Sequence, residues 1–310
     1  MLLACGVLRA ERVDNVLAQM VPNATTTLVG MRMEQLKATP LFQKMIAQQK
    51  LPQLDQFAKD TGFDPRRDVR DLLLASTGGD SVLLARGNFH LTSKGKFKKS
   101  NYHGFEIWTD EKAGFCILDR TLAAAGPLPM LQAALDQYKL RGRNNANAAA
   151  LLTRAKAIPE NYQIWVVTSG NSNYVAEKMP KPGNGVDVQR ILQSLGDVRI
   201  EADFRSGLNA NAEGWCTTVQ DAKNLGDVVR GAVGLGRLRT PENQPDLLRL
   251  WDGIKVEQSD RKVTITASIG QELIDEFLKL FEPGNGRKPE KSADARPARA
   301  INPAPVLMDH

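Results

Sequence analysis

Few residues in this chain have the type and spacing that chemistry needs, and each such group also has a plain structural reading. Asp60-Thr61-Gly62 matches a triplet that, on a loop after an apolar strand, lets two carboxylates share one proton. Here Leu54, Phe57 and Ala58 precede it at helical spacing, which makes Gly62 a helix-ending glycine instead. Gly231-Ala-Val-Gly-Leu-Gly236 has the glycine content of a phosphate loop. Its order fits neither dinucleotide nor nucleotide fingerprints, and no Lys-Ser/Thr follows it, so small residues packed closely within a helix are expected. His90 and His103 flank a basic run and would approach each other if their strands paired. Two histidines without a third ligand make a poor metal site, and no metal or cofactor is expected. Patterns for nucleophilic or zinc-dependent hydrolysis are absent from the sequence.

The most suggestive run is Lys94-Gly-Lys-Phe-Lys-Lys99. Lys94, Lys96, Lys98 and Lys99 around Phe97, with Tyr102 close behind, suit phosphate groups or another anionic polymer. A solvated hairpin loop is the plainer account. The net charge of +6 permits such partners but is spread over the loop and the C-terminal tail, whereas a nucleic-acid reader concentrates it. Three cysteines, Cys5, Cys116 and Cys216, are too few for a disulfide framework. Cys116 and Cys216 fall in strand-like segments and read as small buried hydrophobes, with a bridge between them as the lesser alternative. The tryptophans Trp108, Trp165, Trp215 and Trp251 lie on strand or helix faces and are expected to pack.

Residues 1–10 are apolar up to Arg9 and end in Leu8-Arg9-Ala10, close to a small-residue cleavage site. Leu2-Leu3-Ala4-Cys5 also fits a lipobox, which makes Cys5 a candidate for lipidation. Nothing basic precedes this short run, so an export signal whose start lies upstream of Met1 is the expectation. No later stretch reaches the roughly 20 apolar residues of a membrane span.

The elements that must position these residues are legible from periodicity. Val198-Arg199-Ile200-Glu201-Ala202-Asp203-Phe204-Arg205 alternates without a slip and predicts a strand, with its charged residues on a wet face. A partner strand is expected over Glu213–Val219, then a helix from Asp221 to about Leu238. Hairpin then helix returns at Ile254–Phe281. Earlier, helices are expected around Val13–Met20, from Thr39-Pro40, over Leu51–Thr61, at Asp64-Pro65 and from Leu128 to Tyr138. Strands are expected at Thr25–Met33, Leu72–Ala75, Val82–Phe89, Phe105–Thr109 and Gly114–Leu118. The second half adds an Ala-rich helix to Ile158, a strand at Tyr162–Thr168, a helix over Val186–Leu195 and a short one around Leu247–Trp251. Hairpins separated by helices argue α+β, with antiparallel sheets and helices packed on one face, in two similar halves. The divisions are 1–10 as signal remnant, 11–145 and 146–282 as halves, and 283–310 as a disordered tail rich in Pro, Gly, Ala and charge.

Several phrases together resemble uncharacterised exported proteins of the bacterial envelope with tandem α+β halves. They are Leu36-Lys-Ala-Thr-Pro-Leu41, Thr61-Gly-Phe-Asp-Pro-Arg-Arg-Asp-Val69, Leu84-Ala-Arg-Gly-Asn-Phe89, Tyr102-His-Gly-Phe-Glu-Ile107, Trp165 in its strand, and the closing hairpin and helix. The resemblance covers roughly residues 25–281 and implies a fold and a periplasmic or envelope compartment, with no chemistry. The expectation is therefore a non-enzymatic exported protein with a binding or structural role in the envelope and an unknown ligand or envelope partner. The alternatives are a binder of nucleic acid or another anionic polymer through residues 94–99, and an enzyme with its site between the halves. Without a signal remnant the chain would be cytoplasmic.

Overall fold

The structure, a computed structural model, describes residues 13–48, 55–56, 58–59, 62–90, 97–110, 113–143, 146–170 and 194–280. The segments predicted at 1–10 and 283–310, and the start of the helix expected over Leu51–Thr61, lie outside these residues. Of the helix expected over Val186–Leu195 only the end is described, and there Leu195 already belongs to a strand.

The strands are β1 (Thr27–Arg32), β2 (Val69–Ser76), β3 (Ser81–Gly87), β4 (Lys98–Tyr102), β5 (Phe105–Thr109), β6 (Ala113–Asp119), β7 (Leu122–Pro127), β8 (Ile164–Thr168), β9 (Leu195–Asp203), β10 (Leu208–Cys216), β11 (Ile254–Ser259) and β12 (Lys262–Ile269). They form one 12-stranded sheet in the order β11-β12-β10-β9-β8-β1-β2-β3-β7-β6-β5-β4. Its pairs are antiparallel. The first seven strands and the last five meet where β1 pairs with β8, so the two parts of the chain share a single sheet.

Register makes the two faces of this sheet chemically different. Because side chains alternate between faces, cross-strand partners share a face. One row of partners runs Lys99-Trp108-Phe115-Ala125-Leu83-Leu74-Val29-Val166-Ile200-Ala212-Ile265-Val256, from edge to edge. After the edge lysine it contains no polar residue. A parallel row on the same face runs Ile117-Ala123-Ala85-Leu72-Met31-Ile164-Ala202-Ala210-Ala267-Ile254. We call this face A. On the opposite face B, the row Cys116-Ala124-Leu84-Leu73-Gly30-Trp165 is apolar, then turns polar as Glu201-Asn211-Thr266-Lys255.

Helices follow this partition. On face B, α1 (Asn15–Gln19), α5 (Leu128–Lys139) and α6 (Ala146–Lys156) close the main core, in which Leu17, Leu28, Leu73, Leu84, Leu131, Leu135, Leu151 and Val167 are buried. On face A, α2 (Met33–Lys37) and α3 (Pro40–Gln48) join Phe63 and Phe89 in a second cluster over Met31, Leu72 and Ala123. Between them in sequence and β2, α4 (Pro65–Asp68) is capped by the Asp64 carboxylate, which accepts from the Arg66 amide. Further along face A, α7 (Val219–Arg239) buries Ala222 and Leu225 against Cys216 and Val263. The chain ends with α8 (Pro245–Asp252) and α9 (Gln271–Leu280), the latter tied to α3 by the Lys44–Asp275 ion pair. The α+β class stands, with one adjustment: helices lie on both faces of the sheet, because two apolar rows cross face A.

Two strands escape the periodicity. β7, Leu122-Ala-Ala-Ala-Gly-Pro127, shows no alternation of polarity, since both of its sides face apolar surroundings. Its residues are small because space is short: a Cβ on Gly126 would stand 2.8 Å from the Ser81 carbonyl oxygen. β4 reads as a polar loop but gains its ladder from β5, and its lysines suit an unpaired sheet edge. The β10 expectation is displaced toward the C-terminus, since the strand begins at Leu208 and ends at Cys216.

The expected wet face of β9 is also corrected. Glu201 is 1% exposed and Asp203 7%, so these carboxylates are buried beside the core. Arg199 lies 2.6 Å from Glu201 in an ion pair, and Lys262 donates to Glu213 one strand further on. Asp203 accepts from both the backbone amide and the guanidinium of Arg205. Cys116 and Cys216 are free and buried. Six strands separate theirs in the sheet order, a distance of roughly 34 Å at about 4.8 Å per strand. That is far beyond disulfide reach.

Two outcomes follow from this packing. A side chain at Gly30 would overlap the Trp165 indole across the β1–β8 seam. Gly30→Ala is therefore expected to lower stability by about 1–3 kcal/mol, read as a shifted urea midpoint, with Trp165→Leu in the same chain restoring part of it. Unchanged stability would mean that the indole moves aside at no cost. The Arg205 guanidinium, more than the adjacent amide, holds the Asp203 carboxyl down to about 2. A carboxyl held below its unfolded value of about 3.9 stabilises the fold above that pH and loses the contribution as pH falls through about 2. Arg205→Ala should thus move the onset of acid unfolding to higher pH, by a small step because Arg205 is mostly exposed. Melting curves between pH 2 and 5 that stay parallel for both proteins would refute this.

Candidate apolar binding site

Face A is not covered evenly. Between the cluster around α3 and the β5–β6 hairpin, it carries a groove of about 600 Å³ over β3, β7 and β6. Its floor is the two apolar rows just described, at Leu83, Ala85, Ala123, Ala125, Phe115 and Ile117. Alanines of β7 keep the floor low. One wall is Phe42 and Ile46 of α3 with Phe63 and Phe89, whose rings lie 5.2 Å apart. The other wall is Phe97, which meets Phe115 edge-on at 5.1 Å. Leu83 remains 36% exposed at the floor, the mark of an apolar sheet face left open.

Among the described residues that line the groove, charge is limited to Arg66 and Asp110, and both are engaged. Arg66 forms ion pairs with Asp55 at 2.8 Å and Asp64 at 2.9 Å. Its guanidinium holds the Asp64 carboxyl below the usual carboxylate range, and the two carboxylates raise Arg66 in turn. Asp110 accepts from the Ala113 amide at 2.9 Å and so caps the β5–β6 turn. The backbone of the floor is engaged too, because β3 and β7 are paired on both sides. A groove built this way offers an occupant hydrocarbon and aromatic surface.

The residues singled out from sequence are dispersed. Lys94, Lys96 and Cys5 lie outside the described residues. Lys98 is exposed on the edge strand β4, with Thr109 as its cross-strand partner, on face B. Lys99, on face A, is ion-paired with Glu106 and stands 5.8 Å over the Trp108 ring. His90 and His103 do not meet: β7, β6 and β5 intervene between β3 and β4. His103 sits instead in the β4–β5 turn with a left-handed φ of 50°, stacked on Tyr102. Both reach Asp136 of α5, Tyr102 donating at 2.9 Å and His103 Nδ1 lying 3.1 Å away. Gly62 ends a helical turn, with a φ of 75° and its amide donating to Ala58. The Gly231–Gly236 run lies within α7, where a Cβ on Gly236 would stand 2.5 Å from the Trp251 ring. That small residue admits Trp251 of α8, so the close packing is helix against helix. Trp165 is buried in the core as expected.

A second hollow, about 450 Å³, lies where the two parts of the chain meet, between Gln35, Ala38 and Thr39 and Glu160, Asn161 and Arg205. Among the described residues that line it, Glu160 is the one carboxylate, and general acid–base work of the two-carboxylate kind needs a pair. Among the described residues, no group of three His, Cys, Asp or Glu side chains is placed to hold a metal ion. Among the same residues, no helix is long and apolar enough to cross a membrane.

The groove was missed in the sequence because its floor residues come from β3, β6 and β7 and become neighbours only through pairing. The available signal was weak: the Ala123-Ala-Ala125 run and the phenylalanines at 42, 63, 89, 97 and 115.

No family model and no curated protein matches the chain. Solved structures do. One crystal form of TP0453, from Treponema, aligns with a TM-score of 0.50 at 8% identity, over 84% of this chain and 96% of that one. A second crystal form gives 0.47 at 9%, over 87% and 98%. At such identity the likeness is one of fold.

Proposed function

We propose that this chain is a non-enzymatic binding protein of the bacterial cell envelope that holds an apolar ligand in the face A groove. The observation that carries the reading is the groove: about 600 Å³, within the range of small-molecule sites, which are mostly apolar and largely preformed. An open apolar face of this kind is costly in water unless something occupies it. The compartment rests on the apolar start of the chain and its lipobox-like Cys5, and on the fold shared with a Treponema envelope protein.

The alternative of an anionic polymer held by Lys94, Lys96, Lys98 and Lys99 has less behind it. Lys99 already has Glu106 as its counter-ion, and Lys98 and Lys99 project from opposite faces of β4. For an enzyme with its site at the junction hollow, the described lining residues offer one carboxylate, Glu160.

The neutral fluorophore N-phenyl-1-naphthylamine should bind the purified chain with enhanced emission, saturating at one site. Ala125→Trp, which fills the floor beside Leu83 and Phe115, should weaken it at least tenfold with unchanged circular dichroism and melting temperature. Absence of saturable binding by the unsubstituted chain would overturn the groove reading. For the compartment, fractionation of the source cells with mass spectrometry of the N-terminus should find the chain in the envelope. A cytosolic chain with Met1 intact would reject that part.

A further inference from the structure

We infer that the groove is a site for a single unbranched hydrocarbon chain, recognised by its methylenes while its head group stays in water. This rests on the groove reading and narrows it to a ligand class.

Three observations point the same way. The first is charge. Arg66 is held between Asp55 and Asp64, and Asp110 is engaged by the amide of its own turn. A charged head group would have to compete with these partners and would gain little, because pairs open to water are screened. Among the described residues the groove therefore holds no electrostatic anchor that distinguishes an acid from an alcohol or an ammonium.

The second is the backbone. The floor strands β3 and β7 lie between paired neighbours, β2 and β7 for one, β3 and β6 for the other. An occupant strand or loop of peptide would find no ladder to join, and each of its buried N–H and C=O groups would go unmatched, which is costly. Hydrocarbon carries no such groups. The geometry selects it over an extended apolar peptide.

The third is shape. Small residues, Ala85, Ala123 and Ala125, line the floor between two aromatic walls, Phe42, Phe63 and Phe89 on one side and Phe97 on the other. Small side chains between aromatic ones leave room for a slender occupant. That profile suits a chain lying along the sheet.

The test is displacement of N-phenyl-1-naphthylamine by amphiphiles kept below their critical micelle concentrations. Octyl, decyl and dodecyl trimethylammonium measure chain length. Decanol, decanoate and decyltrimethylammonium compare head groups at equal length. Affinity should rise about fourfold per added methylene until the groove is filled, as expected for moving methylenes out of water. The three decyl compounds should agree within about threefold and change little between 50 and 500 mM salt. A tenfold preference for one head group, or a tenfold loss in high salt, overturns the inference and leaves the groove reading standing. So does displacement by an end-blocked apolar heptapeptide as effective as decanol, or failure of every alkyl probe while the fluorophore binds. If the fluorophore itself does not bind, the groove reading fails and this inference with it.

Discussion

The pairing of β1 with β8 is the contact on which the rest of the structure depends. It joins the first seven strands to the last five, and it does so in a register that continues each row of side chains from one part into the other. Val29 meets Val166 and Met31 meets Ile164 on face A, while Gly30 meets Trp165 on face B. A slip of one residue would turn Trp165 onto the wrong face and set apolar against charged positions along β9. Gly30 makes the register specific, because only a residue without a side chain leaves room for the indole.

From that seam the two faces diverge. Face B is apolar as far as Trp165 and Val167, then meets Glu201 and Arg199 on the next strand. The core under α5 and α6 ends where hydrocarbon gives way to charge. Glu201, nearly fully buried, is matched by Arg199 at 2.6 Å. Such a pair adds little net stability, but losing one partner strands a charge, so it defends the register more than it strengthens the fold. Face A has no such boundary. Its apolar rows cross every strand from β5 to β11, and α3 and α7 cover parts of them. The stretch over β3, β7 and β6 is left with a groove.

The character of the groove follows from its place inside a sheet. At a sheet edge, free N–H and C=O groups would invite another strand. In the interior those groups are spent on neighbouring strands, and what faces outward is side chain alone. Alanines on β7 keep that surface low, and phenylalanines on both sides give it walls. Among the described lining residues, the charges of Arg66 and Asp110 are engaged within the protein. The result is a surface with much apolar area and little directional chemistry, which suits a ligand selected by length and shape.

Local patterns determined much of this protein without tertiary information. Alternation in Val198–Asp203 wrote β9, Thr39-Pro40 began α3, and Asp64-Pro65 set the capped turn of α4. Each depends on interactions within a few residues, so the local string suffices. The α+β class followed from the succession of hairpins and helices. The tertiary structure alone decided the rest. It turned Lys98–Tyr102 into an edge strand and the unpatterned Leu122–Pro127 into an interior one, since pairing partners rather than propensity made both. It buried Glu201, which its own strand marks as a solvent position, by bringing Trp165 beside it. It kept His90 from His103 and drew Leu83, Phe115 and Ala125 into one row. A strand's sequence specifies which of its side chains share a face; which neighbours complete that face is a property of strand order, and strand order is settled by contacts far apart in the chain.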